Sequence, residues 1–269
     1  MAKRAEYTVF QGRAGDHNDL AIPGAKAIGE ELESRTGISP TVIGTPAPAL
    51  NTGWHEELDA ALPSLKEIQS RFDDVFARGA VSIAATSRCA VSLATLPAVA
   101  KHFPSACIVW FDAHGDANLP SSHIEPYLGG MVITGVAGHW DSGLGSGLSM
   151  SNIVLVGARD LDPHEKQLVA SGVLRVLPPG PHLVERLSGA VGMRDIYVHL
   201  DCDVLEPGQV PLEYEVPGGL TFAELRACAT ELARRRVVGV EIAEFESQFK
   251  DGRAADADAL VDAIAPLLT

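Results

Sequence analysis

"IVWFDAHGDANLP", residues 108–120, climbs through apolar residues and then sets Asp112, His114 and Asp116 at alternate positions. A strand turns successive side chains to opposite faces, so this spacing lets all three point one way from the carboxyl end of a buried strand. Runs of the same kind recur along the chain: "YTVF" (7–10), "TVIG" (41–44), "AVSIAA" (80–85), "ACIVWFD" (106–112), "NIVLVGA" (152–158), "LRVLP" (174–178), "DIYVHLD" (195–201) and "VVGVEIA" (237–243). They alternate with amphipathic segments that predict helices over 22–36, 54–78, 91–102, 163–171, 180–190, 221–235 and 255–268. Such alternation is the pattern of a parallel α/β fold, and the continuously apolar strands call for helices on both faces of the sheet. Two helix starts are explicit: Asp162 followed by Pro163, and Thr221 with a capping-box Glu224.

Composition narrows the function. With 269 residues, 46% hydrophobic and 21% charged, the chain can bury a large core as a single domain over 1–269. A formal charge of −14 steers nucleic acid and anionic membranes away and makes a cation the more natural guest. Cys89, Cys107, Cys202 and Cys228 show no paired spacing, so neither a disulfide framework nor a structural zinc site is expected, and a reducing cytoplasm is. The start "MAKRAEYTVF" has no apolar run after its basic residues, and no stretch approaches a membrane span.

A second cluster follows another strand. In "VHLDCDVLEP", Asp201 and Asp203 repeat the alternate spacing, and strand ends of one parallel sheet converge on one edge, where ligands bind. A lone Asp at a strand end is ordinarily a cap or turn residue, but four carboxylates brought together repel unless something neutralises them. Two divalent cations would do so; oxygen ligands with an imidazole suit Mn²⁺, Mg²⁺ or a mixed zinc site, and the chemistry such a centre supplies is metal-assisted hydrolysis. The Gly- and Ser-rich stretch 117–151 reads as a functional loop region around a short buried helix.

"DAHGDAN" (112–118) with "DCDVLEP" (201–207), "VGARDLDPHE" and "VGVEIAE" in this order resembles the arginase/agmatinase, or ureohydrolase, family over almost the whole chain. The resemblance implies a three-layer α/β/α sandwich on a mostly parallel eight-stranded sheet and two Mn²⁺ per chain. Asp112 and Asp201 would bridge the metals; one metal would add Asp116 and Cys89, the other His114 and Asp203. Glu244 would bind the guanidinium and Asp116 would carry protons. Asn118, Asp162 and Glu165 would hold the amino-acid head of the substrate, with Ser121, Ser122 and His123 near its carboxylate.

Three departures stand out. Cys89 falls where the family has a ligand His, Gly129 where arginases have a proton-shuttling His, and Glu206 where Asp-Pro is common. Thiolate is softer than imidazole and fits Mn²⁺ less well. "CAVSLATLP", "YLGGMV", "HWDSGLGSGL", "VLPPG" and "DVLEPGQVP" together resemble the branch of the family that belongs to D-cycloserine biosynthesis and hydrolyses Nω-hydroxy-L-arginine to hydroxyurea and L-ornithine. Hydrolysis of arginine or another guanidino compound is the nearest alternative, and a non-catalytic family homologue the third. His199 and Glu241 read as packed core residues, and Trp140 with His139 as pocket or turn residues. Monomer and homo-oligomer both remain open.

Overall fold

The computed structural model describes residues 4–122 and 127–268. Its strands are β1 (Ala5–Phe10), β2 (Thr41–Ile43), β3 (Val81–Ala85), β4 (Cys107–Phe111), β5 (Ile153–Val156), β6 (Arg175–Leu177), β7 (Ile196–Asp201) and β8 (Val237–Ala243). They form one sheet in the order β2-β1-β3-β8-β7-β4-β5-β6. Every neighbouring pair is parallel, so the expected mostly parallel sheet is wholly parallel among the described residues. All eight strands lie where the apolar runs predict them, with ends shifted by at most two residues; β1 starts two residues earlier and most others are shortened.

The helices are α1 (Ala21–Thr36), α2 (Trp54–Ala77), α3 (Ser92–His102), α4 (Val132–Val136), α5 (Pro163–Ala170), α6 (Leu183–Val191), α7 (Phe222–Leu232) and α8 (Asp258–Ile264). Strand alternation splits the core into two layers. On β4, Ile108 and Trp110 face a cluster built with α2, α3 and α4, whereas Cys107, Val109 and Phe111 face one built with α1, α6, α7 and α8. Trp110 is fully buried, and truncating it to Ala would cost about 3–5 kcal/mol. Both explicit caps are present: Glu224 and Thr221 close a capping box, as do Glu165 and Asp162. The C-terminal helix is shorter than the predicted 255–268: α8 gives way to a 3-10 turn over Ala265–Leu267, because Pro266 has no N–H to continue the α-helical ladder.

Strand order positions the site. The chain passes from β3 to β4 across two places in the sheet, which β8 and β7 later fill. The loops that leave the carboxyl ends of these four central strands therefore meet at one edge, and each carries one of the residues singled out above.

Candidate metal centre

Asp112 follows β4 directly and is fully buried. Its Oδ2 accepts the Trp110 indole N–H at 2.8 Å and its Oδ1 accepts the His114 backbone N–H at 2.6 Å. His114 Nδ1 lies 2.8 Å from Asp203 Oδ2 and 3.4 Å from Asp112 Oδ1. Asp203 Oδ1 accepts the Ala113 N–H at 2.8 Å, and Asp201 Oδ1 accepts the Asp203 N–H at 2.8 Å. The loop after β4 is thus stitched to the loop after β7. Gly115 is required between the ligands, since a Cβ there would sit 2.5 Å from the Glu165 carboxyl carbon. Glu165 uses the space to accept the Ala117 N–H at 2.9 Å, which fixes the turn that presents Asp116. Asp116 has φ of +47°, a left-handed conformation that costs a non-glycine residue about 1–3 kcal/mol and collects at functional sites.

Cys89 lies beyond β3 and is 2% exposed. Its thiol donates to Asp201 Oδ2 at 3.0 Å and lies 3.2 Å from His199 Nε2. His199 Nδ1 is 2.8 Å from Glu241 Oε1, and Glu241 also accepts from the hydroxyls of Ser92 and Thr95. The His199 ring stacks on Trp110 with centroids 3.5 Å apart. His199 and Glu241 are therefore a hydrogen-bonded core pair that backs Cys89.

Three sets of side chains bring potential ligand atoms within 4.8 Å of one another: Cys89, Asp112 and Asp116; Cys89, Asp201 and Glu244; and Asp112, His114 and Asp203. Burial pushes Asp116 and Asp201 well above the usual carboxylate range, with neighbouring aspartates adding to it. Asp203 rises to about 6 through burial and the charge of Asp112, despite the hydrogen bond from His114. Asp112 goes the other way: burial raises it, but the hydrogen bond and charge of His114 outweigh burial and hold it low. The Cys89 thiol is pushed far up by burial and by the surrounding carboxylates. Asp116 Oδ2 is buried with no protein partner. A buried, partly unpartnered carboxylate cluster of this kind fits divalent cations, which supply the missing positive charge and stabilise the ionised ligands.

Above the cluster opens a pocket of about 220 Å³, lined by Cys89, His114, Asp116, Asp201, Asp203 and Glu244 on its floor and by Asn118, Asp162 and Glu165 on its wall. Asn118 Nδ2 donates to Asp162 Oδ2 at 2.7 Å, and Glu165 Oε2 accepts the Asp162 N–H at 2.9 Å, so the wall residues hold one another. Ser121 and Ser122 lie on the exposed loop beyond, where Ser122 Oγ accepts the Leu119 N–H at 2.8 Å, and His123 lies outside the described residues. Glu206 turns from the pocket and accepts the N–H groups of Gly218 and Gly219 at 2.8 and 2.7 Å. Trp140 donates to the Met131 carbonyl at 3.0 Å, and His139 is exposed on the turn beside it.

Several residues in or behind the pocket carry no sequence signal of their own. Tyr127 and Tyr214 line the pocket. A Cβ on Gly129 would lie 2.5 Å from the Tyr127 ring, so Tyr127 fills the volume into which a side chain at that position would project. Arg88, in the same "TSRC" stretch as Cys89, is fully buried against Glu244. The departure of this stretch from the family pattern was the one available hint.

A sequence profile of the Arginase family matches residues 14–268. The chain is 38% identical over 262 residues to an N(omega)-hydroxy-L-arginine amidinohydrolase of Streptomyces lavendulae, covering 97% of this chain and 96% of that protein. It is 26% identical over 209 residues to an arginase of Bacillus caldovelox, covering 68% of this chain and 69% of that one. Its fold matches the crystal structure of an arginase from Bacillus cereus with a TM-score of 0.84 at 21% identity, over 99% of this chain and 98% of that one.

Proposed function

This chain belongs to the arginase family, and on that premise we propose that it is a two-metal hydrolase of linear amidines that cleaves Nω-hydroxy-L-arginine to hydroxyurea and L-ornithine. The observation that carries the reading is the 38% identity to a hydroxyarginine amidinohydrolase over nearly all of both chains.

In this reading Asp112, Asp201, Asp116, Cys89, His114 and Asp203 would hold two Mn²⁺ ions, with Asp112 and Asp201 serving both, Asp116 and Cys89 one, and His114 and Asp203 the other. When bound, the cations supply a hydroxide nucleophile near neutral pH and polarise the amidine. Water adds to the guanidino carbon, the bond to the ornithine nitrogen breaks, and that nitrogen leaves with a proton. Asp116 would take up the nucleophile's proton and pass it to the leaving amine; its Oδ2, which has no protein partner to compete for it, supports this role. Glu244 borders the pocket at the guanidino end. Asn118 and Asp162 face the amino-acid head, and Glu165 acts on them through the backbone it holds. Four free, buried thiols fit a reducing cytoplasm. No described helix is long and apolar enough to cross a membrane, and the partner is a small guanidino amino acid.

The test is hydrolysis by Mn²⁺-loaded protein, with L-arginine and Nω-hydroxy-L-arginine compared at matched concentrations and ornithine followed. A large preference for the hydroxylated substrate is expected. A preference for arginine returns the chain to ordinary arginase activity, and no turnover of either with metal bound points to another guanidino substrate or a non-catalytic role.

A further inference from the structure

Arg88 is the least expected charge behind the pocket, paired with its lining residue Glu244. It is fully buried, one residue before Cys89, and its guanidinium is surrounded by carboxylates. Nη1 lies 2.8 Å from Glu244 Oε2 and 2.7 Å from Glu213 Oε2, Nε lies 3.3 Å from Asp16 Oδ1, and Nη2 lies 3.8 Å from Glu246 Oε1. The surrounding acids are themselves held: Asn18 donates to Glu213 and Glu246, and His17 Nδ1 lies 2.9 Å from Glu213. Glu244 Oε1, the other oxygen of the pocket carboxylate, accepts the Cys89 N–H at 2.7 Å. Both Glu244 oxygens are therefore engaged by the protein before any substrate enters.

We propose that Arg88 sets the charge preference of this pocket: by ion-pairing with Glu244 from behind, it selects a neutral N-hydroxyguanidine over a guanidinium cation. The inference rests on the amidinohydrolase reading above. An unpaired carboxylate in a buried pocket attracts a guanidinium strongly, because charges interact strongly away from bulk water. With Arg88 beside it, the same carboxylate attracts a cation far less, and the entering cation also meets the like charge of Arg88 at short range. An N-hydroxyguanidine is much less basic than a guanidine, so a far larger share of it is uncharged near neutral pH, and that form loses nothing. Glu244 still has a second lone pair on each oxygen with which to accept an N–H or O–H and orient the substrate. Glu213 shares the same Arg88 nitrogen, so Arg88 weakens the pull of Glu244 on a cation without abolishing it.

Arg88 is a positioning residue that acts through Glu244, and the experiment separates that role from a merely structural one. Wild type, Arg88→Lys and Arg88→Gln are compared, as Mn²⁺-loaded full-length chains, for kcat and KM on both substrates and for inhibition of hydroxyarginine turnover by L-arginine. In Arg88→Gln the hydroxyarginine-to-arginine ratio of kcat/KM should fall about tenfold, or about 1.4 kcal/mol. The change should come from tighter arginine binding, seen in both its KM and its inhibition constant. Arg88→Lys keeps the charge and should keep the ratio. If Arg88→Gln does not fold, Glu213→Gln, a charge-removing variant that frees Arg88 of a competing carboxylate, should raise the ratio instead. An unchanged ratio in the folded charge-removing variant overturns the role of Arg88 while the hydroxyarginine reading stands. A wild type that turns over neither substrate overturns both, and one that prefers arginine does the same.

Discussion

The two halves of the carboxylate cluster differ in how completely the protein satisfies them. On the β4 side, Asp112, His114 and Asp203 hydrogen-bond one another and the backbone of both loops. On the β3 side, Asp116 keeps an unpartnered buried oxygen, Asp201 is pushed toward its neutral form, and the neighbouring donor is a buried thiol rather than an imidazole. One half is organised by a built-in cation, His114, and the other has none. The first should hold its geometry without metal, though His114 must lose its proton to become a ligand, whereas the second depends on the incoming cation to ionise its ligands.

The most severe break is at the residue both halves share. Asp112→Asn should lower ornithine release by more than about 100-fold, since loss of a partner that merely orients a ligand already costs about 10–100-fold. Elemental analysis should then show both sites depleted; full occupancy with activity intact would refute the shared-ligand assignment. Next in size is an asymmetry in metal affinity. Titration of the metal-free chain with Mn²⁺ should fill the sites in two phases, and Cys89→His should tighten the weaker phase by about tenfold, because imidazole suits Mn²⁺ better than thiolate. Two equal phases in wild type would remove the distinction between the halves.

Ligands of both halves were legible wherever strand spacing sets them. The alternate spacing of Asp112, His114 and Asp116, and of Asp201 and Asp203, is a consequence of strand geometry, so local sequence carries it. The eight strands and both capping boxes were readable for the same reason: apolar runs and capping residues act within a few positions. Arg88, Tyr127 and Glu213 were not readable in this way. Arg88 meets Glu244 from 156 residues away, and Glu213 sits in a loop with no periodicity. A buried Arg in an ion-pair cluster is defined only by which strands become neighbours, and that is set by the β3-β8-β7-β4 order rather than by any local pattern.

A smaller effect should appear in metal-free stability. Asp116, Asp201 and Asp203 are raised in the folded chain, so the protons they hold favour folding at low pH, and that contribution is lost as pH rises through the folded values. For Asp203, a rise from 3.8 to about 6 corresponds to roughly 3 kcal/mol, at about 1.4 kcal/mol per unit, lost between about pH 4 and pH 6. His114, raised from 6.5, stabilises fully below that value and progressively less above it. Asp112 is held low, so its contribution is already complete above about pH 4 and does not reverse the trend. The melting temperature of the metal-free chain should thus fall from pH 4 to pH 8, and excess Mn²⁺ should flatten or invert the slope. A metal-free melting temperature that climbs over this range would show that the cluster is not strained by its own charge.

The smallest effect concerns Tyr127, which fills the space beside Gly129. Its hydroxyl is buried without a partner, and a buried polar group left unpaired costs about 1–3 kcal/mol. Tyr127→Phe should therefore leave the fold as stable or slightly more so. If the hydroxyl meets the substrate, kcat/KM for hydroxyarginine should nevertheless fall by up to about tenfold, the size of a lost hydrogen bond. Unchanged kcat/KM would make Tyr127 a filler only. The steric half of the argument has its own check: Gly129→His alone must displace the ring, since even a Cβ lies 2.5 Å from it, whereas Gly129→His with Tyr127→Gly has room for the imidazole. Only the double variant should then gain turnover of arginine, because only there can the imidazole carry a proton to the departing ornithine amine.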